Sequence, residues 1–286
     1  MNSPRCTTAW LVLLCIGSLP LFHAISLGTE RTGAASKPAY LGFDRNIFPG
    51  KAALSVLRKT STFSGYWLSP PPGEKTNTWL GQRELLRAQG FGFLLLYRGP
   101  QTGDLKDEAA AEKGTADARY AASAAKSEGF PAQAIIFLDI EEGGRLPATY
   151  HAYLRAWASG LTEAGYRPGA YCSGIPVKEE PSVTITTADD IRTHAPSQDF
   201  VFYVYNDVCP PSPGCTFPQN PPPPVAGGVP YAKVWQFAQS PRRMERTVHC
   251  LAGYHTDGNC YAPGDTAHTG FLDVNSASSP DPSSGR

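Results

Sequence analysis

Neither charge sign is in excess: Lys+Arg and Asp+Glu number 25 each, and the formal net charge is zero. With no basic stripe, the chain offers no footing to a nucleic acid or an anionic membrane surface. It has no internal repeat. No Gly-rich phosphate turn follows the first predicted strand, which argues against a doubly wound nucleotide-binding sheet. The cysteines have no C-x2-C spacing, so zinc is a second choice for them. The apolar run Ala9–Leu19 is too short for a comfortable membrane span. What is present is ordinary for a globular chain. The 286 residues are 41% hydrophobic, 17% charged and 11% aromatic, enough for one large domain or two small ones.

A cleaved signal peptide is expected over residues 1–24. Arg5 supplies the positive start, Ala9–Leu19 the apolar stretch, and Phe22-His23-Ala24 an imperfect cleavage site. Cys15 raises lipid attachment as an alternative, which the bulk of Leu14 disfavours; a membrane anchor is the competing reading. Residues 25–38 read as a flexible segment and 278–286 as a disordered tail. Of the seven cysteines, five remain after the signal. Cys209 and Cys215 bracket a Pro/Gly turn, and Cys250 and Cys260 bracket a polar loop. Each pair is expected to close as a local disulfide in an oxidising compartment. Cys172, in a predicted strand, is expected to be a buried free thiol.

Between residues 39 and 277, apolar runs alternate with helical patterns. Strands are expected at Tyr40–Asn46, Phe63–Leu68, Phe91–Tyr97, Ala134–Ile140, Pro168–Cys172, Phe200–Tyr205, Ala232–Phe237 and Phe271–Val274. Helices are expected at Lys51–Arg58, Trp79–Gln89, Thr115–Glu128 and Pro147–Ala164. Eight strands interleaved with helices predict one α/β domain, a (β/α)8 TIM-barrel-like fold. The Pro-rich segment 210–224 is an excursion from this pattern.

The fourth strand carries the chemistry. AIIFLDIEEG is apolar until Asp139 and Glu141, which alternation places on one face, roughly 6–7 Å apart. Like charges at the end of a buried strand need a reason; a strand end reaching solvent is the bland one. In a barrel, acting residues gather at strand C-terminal ends. Asp44, Arg98, Asp139, Glu141, Tyr171, Asn206, Gln236 and Asp273 all fall there or one residue beyond. Trp67, Tyr97, Tyr171, Tyr205 and Trp235 offer flat faces, although each aromatic has a core role as its default. Asp44 and Asp273 have helix capping as theirs. Asp104, Asp107 and Glu108 read as solvated, and Glu142 as outward-pointing. His151 reads as a packing residue. His249, His255 and His268 match no metal spacing.

FDRN, FLDIEEG, AYCSG, FYVYND, VWQFAQ and FLDVN, in order at barrel spacing, resemble the family-25 glycoside hydrolases, which are lysozyme-like muramidases. More closely they resemble the secreted glycoside-hydrolase-like domains also called domain of unknown function 1906. The resemblance spans residues 39–277. It implies Glu141 as general acid, Asp139 as its partner, and Asp44 and Asp273 as the remaining carboxylates. It also implies a sugar groove lined by Trp235 and Gln236, with Trp67, Tyr97, Arg98, Tyr171, Tyr205 and Asn206 as candidate contacts. SPPPG after the second strand and Arg98 after the third depart from the muramidase pattern. The implied protein is a secreted monomer acting on peptidoglycan or a related polysaccharide, with no cofactor and no metal. A catalytically silent carbohydrate-binding barrel is the alternative. A phosphodiesterase barrel would want paired His at strand ends, and these are missing.

Overall fold

The computed structural model describes residues 38–250 and 252–286. The expected signal segment, and the 25–38 segment except Pro38, lie outside the described residues. Short apolar runs make the strands: β1 (Tyr40–Asp44), β2 (Phe63–Trp67), β3 (Gly92–Arg98) and β4 (Ile135–Asp139) are buried almost end to end. That pattern marks strands covered on both faces. Helices α1 (Gly50–Leu57), α2 (Arg83–Ala88), α3 (Ala110–Ser127) and α4 (Ala148–Glu163) follow them in turn. The chain continues through β5 (Arg167–Ser173), a hairpin of β6 (Val177–Glu180) and β7 (Val183–Ile185), α5 (Thr187–His194) and β8 (Val201–Tyr205). It ends with β9 (Val234–Ala238), the short α6 (Met244–Thr247) and β10 (Asp273–Ala277).

Eight strands close into one barrel in the order β1-β10-β9-β8-β5-β4-β3-β2. The fold is therefore the expected TIM-like barrel, and the described residues form one compact unit. One strand breaks the expected pattern: β10 runs antiparallel to both β1 and β9. A parallel return needs a crossover of a dozen or more residues, usually helical. Among the described residues the β9–β10 connection has only four-residue α6 as helix, and no long crossover helix returns the strand in the parallel sense. Its N-terminal end consequently lies at the rim formed by the C-terminal ends of the other seven. Asp273 pairs directly with Asp44 across the β1–β10 ladder.

Several local expectations are corrected. The helix expected from Trp79 begins only at Arg83, because Gly81 takes φ +79°, outside the right-handed helical region. Trp79 is spent on the core instead, its indole N–H donating to the Asn46 carbonyl at 2.9 Å. The β6–β7 hairpin and α5 were not anticipated. The disulfides join Cys209 to Cys250 and Cys215 to Cys260 rather than closing locally. They strap the Pro-rich excursion to the β9–β10 connection. Cys172 is buried and free, as expected.

The expected disordered tail is ordered. The Asp281 carboxylate accepts from the Phe93 amide and the Ser283 hydroxyl oxygen from the Leu95 amide, both at 2.8 Å. Ser283 also exchanges backbone bonds with Phe93 and Ile135. The segment closes the end of the barrel opposite the acidic rim. Gly92 leaves room for it, since a Cβ there would collide with the Pro280 carbonyl.

Candidate active site

Four carboxyl groups meet at the rim around a cavity of about 250 Å³: Asp44, Asp139, Glu141 and Asp273. Asp44 ends β1 and is 6% exposed. One of its oxygens accepts from the Tyr203 hydroxyl at 2.9 Å, Asn275 Nδ2 at 2.7 Å and Gln236 Nε2 at 3.2 Å. Burial pushes its pKa up, and the three donors pull part of the way back. β2 gives it room through Gly65, where a Cβ would lie 2.5 Å from the Asp44 Cβ. Asp273 faces it from the start of β10, accepting from the Ser240 amide at 2.6 Å and from Gln236 Nε2 at 3.3 Å. Burial and the neighbouring Asp44 charge hold Asp273 well above the ordinary carboxylate value.

Asp139 ends β4 and is 5% exposed. Its backbone carbonyl is pinned by the Gly99 amide at 3.1 Å, but its carboxyl makes no hydrogen bond among the described residues. Burial first, then the charges of Glu141 and Asp44, raises it well above the usual range, with Arg98 opposing. The strand stops at Asp139, so the alternation argument that put Glu141 on the same face does not apply. Glu141 is instead an exposed loop residue whose carbonyl accepts from the Tyr205 hydroxyl at 3.2 Å. It nevertheless lines the same cavity as Asp139. Glu142 does not point outward: its carboxylate takes the Thr102 amide at 2.5 Å and hydroxyl at 2.8 Å.

Alternation does sort the aromatics and their neighbours. Trp67, Leu96, Tyr171, Tyr203 and Gln236 face the cavity. Tyr97 and Trp235 each precede or follow an inward residue by one position, and so face away. Tyr97 packs its ring 5.0 Å from Trp157 of α4. Trp235 is fully buried behind β9, its indole N–H donating to the Asn206 carbonyl at 2.9 Å. Asn206 is likewise held outside the cavity, donating to the Gly227 carbonyl at 2.8 Å. These three expected groove residues lie outside the cavity lining. Tyr205 stands behind Glu141, with the Arg243 guanidinium 5.2 Å over its ring, rather than on the cavity wall. Arg98 is exposed and lines a small adjoining notch, about 30 Å³, shared with Asp139, Glu141 and Glu142.

Sequence reasoning missed Tyr203, Asn275 and Gln239. Tyr203 ties Asp44 to Asn275 at 2.8 Å and accepts from Gln236 at 3.1 Å. Gln239 donates to Gln236 at 2.8 Å and to the Tyr171 hydroxyl at 3.1 Å. Period-2 counting from Tyr205 and Asp273 reaches Tyr203 and Asn275, so that signal was present in the sequence. Gln239 lies one residue past β9, and no strand pattern reaches it.

Known proteins share this architecture. The model of the Rv2525c-like, glycoside hydrolase-like domain matches residues 65–207 of the 286, and the chain belongs to that family. An uncharacterised B. stearothermophilus protein is similar in structure at 20% identity, with TM-score 0.55 over 82% of this chain and 94% of its own. The Tat-secreted protein Rv2525c of Mycobacterium tuberculosis, solved with L-tartrate, is similar at 16% identity. Its TM-score is 0.51 over 84% of this chain and 95% of its own. Both likenesses concern the fold. No curated protein matches the sequence.

Proposed function

We propose that this chain is an extracytoplasmic glycoside hydrolase acting on a cell-wall-type polysaccharide, with Glu141 and Asp139 as its acid pair. The observation that carries the reading is the convergence of four carboxyls from β1, β4, the loop after β4 and β10 on one cavity. Glycoside hydrolysis needs one carboxyl that holds a proton near neutral pH and another that does not. Burial and mutual repulsion raise Asp139 and Asp273 above the ordinary carboxylate value, and three hydrogen-bond donors oppose that rise at Asp44.

In this reading Glu141, at the mouth, delivers a proton to the leaving glycosidic oxygen. Asp139 beneath it, whose hold on a proton burial strengthens, orients an acetamido group, while a water molecule bonds to the oxocarbenium-like carbon and returns a proton to Glu141. Asp44, fed by three donors, is the anchored carboxylate facing the sugar ring. Tyr171 and Trp67 supply cavity walls on which a ring can lie. Family membership supports a glycan as substrate, and the two disulfides support an oxidising, extracytoplasmic compartment.

The test is reducing-end release from purified peptidoglycan and chitin-type oligosaccharides, wild type beside Glu141→Gln. The expected result is release by the wild type and a fall of about 10²–10⁴-fold in the variant, the size of a lost general acid. If neither protein releases sugar but both sediment with the polymer, the barrel is a binding module and the hydrolase reading fails.

A further inference from the structure

Away from the acidic rim, α4 and α5 bring together His151, Asp190 and His194. Asp190 and His194 lie four residues apart on α5 and so share one face of the helix. His151 meets them from α4. His151 Nε2 is 2.7 Å from one Asp190 carboxylate oxygen, and His194 Nδ1 is 3.0 Å from the other. One ligand atom from each residue falls within 4.8 Å of the others. None of the three lines the carboxylate cavity. We propose that these residues bind a divalent transition-metal ion, Zn²⁺ in the first instance, as a clasp beneath the loop that carries Glu141.

The Asp190 side chain is 0% exposed, and its Oδ1 makes no well-directed hydrogen bond, with His194 Nδ1 at 3.0 Å beside it. A buried carboxylate oxygen held only by off-axis contacts is costly, and a cation seated against it removes that cost. Arg145 Nη1 stands 3.5 Å away, and that guanidinium is engaged by Glu179, at 3.1 Å from Nε and 2.9 Å from Nη2. Two imidazoles and a carboxylate form a donor set suited to zinc, leaving the fourth position to water. Water reaches it on the side of His194, whose side chain is 36% exposed. The Leu146 amide donates to the other Asp190 oxygen at 2.9 Å, the kind of outer contact that orients a metal-binding carboxylate.

The two imidazoles stack at 4.0 Å, only 9° from parallel, so binding requires a small splay. His194 is the last residue of α5 and supplies that movement. Its Nδ1 exchanges a 2.9 Å contact with the Asp190 backbone carbonyl for the ion. The link to the rim is covalent and short. Leu146 and the Glu142 carbonyl, which accepts from Thr187 Oγ1 at 3.3 Å, both belong to the segment that presents Glu141. The three residues therefore act on the rim by positioning that segment.

The full chain, stripped with a chelator, is titrated with Zn²⁺ by calorimetry and with Co²⁺ by visible absorption. One bound equivalent, a ligand-field band typical of low-coordinate Co²⁺ and a rise in Tm with Zn²⁺ are expected. His194→Ala, at a half-exposed helix end, should keep the circular dichroism spectrum and weaken binding about tenfold or more. His255→Ala, among the surface histidines, should leave affinity and band intact. Failure of the wild type to bind, or equal affinity and an equal band in His194→Ala, overturns the site. These readouts are independent of glycan turnover.

Discussion

Burial and neighbouring carboxylates raise the pKa of Asp139 and Asp273 well above the ordinary value, and burial raises Asp44 beside them. Their native pKa values stand above the ordinary 3.8, so the native state binds more protons than the unfolded state from about that pH upward. By linkage, stability falls as pH climbs through this window, and the full penalty is present once pH passes the native values. Asp139→Asn removes the charge without changing shape. It should raise stability at pH 7 on the order of 1 kcal/mol, ~2–4 °C in Tm, while glycan cleavage drops. The stability gain should vanish below pH 4, and thermal melts at the two pH values measure it. Residue identities at the rim were legible in the sequence, because acids at the end of an apolar strand are conspicuous. Their roles as neighbours were not. Asp139 and Glu141 share a cavity because the loop folds back over the strand end, and strand alternation does not place them there. One-residue alternation also separates Gln236, inside the barrel, from Trp235, outside it.

At the scale of elements, the cross-links between long loops matter most. Each disulfide joins residues more than forty apart, 41 and 45 in sequence, and closing such loops removes chain entropy from the unfolded state. Replacing Cys215 and Cys260 by Ser should cost about 2–4 kcal/mol, read from denaturant melts. Non-reducing peptide mapping should recover a 209–250 link and a 215–260 link, and no 209–215 link. The closing segment is a second case. Ser283→Ala leaves the buried Leu95 amide without its side-chain acceptor and should cost about 1–3 kcal/mol, measured by the same melts. Its composition, SSPDPSSGR, reads as disorder because it lacks apolar residues. It is ordered because strand-end amides of β3 and β4 need acceptors at the barrel's closed end.

At the scale of the whole molecule, a chain with zero formal net charge gathers four carboxyls at one mouth of the barrel. If a protonated carboxyl drives cleavage, the rate should fall on the alkaline side as the raised groups ionise. Asp139→Asn should alter that limb, and a kcat/KM profile against pH on a soluble glycan checks it. The sequence by itself determined the strand runs, the barrel class and the identities of the four rim acids, since burial patterning and alternation are local properties of the chain. Tertiary structure alone decided that β10 runs antiparallel and brings Asp273 against Asp44, which cysteines pair, and that 278–286 seals the far end. Those outcomes depend on which distant segments meet when the barrel closes, and no local periodicity encodes such meetings.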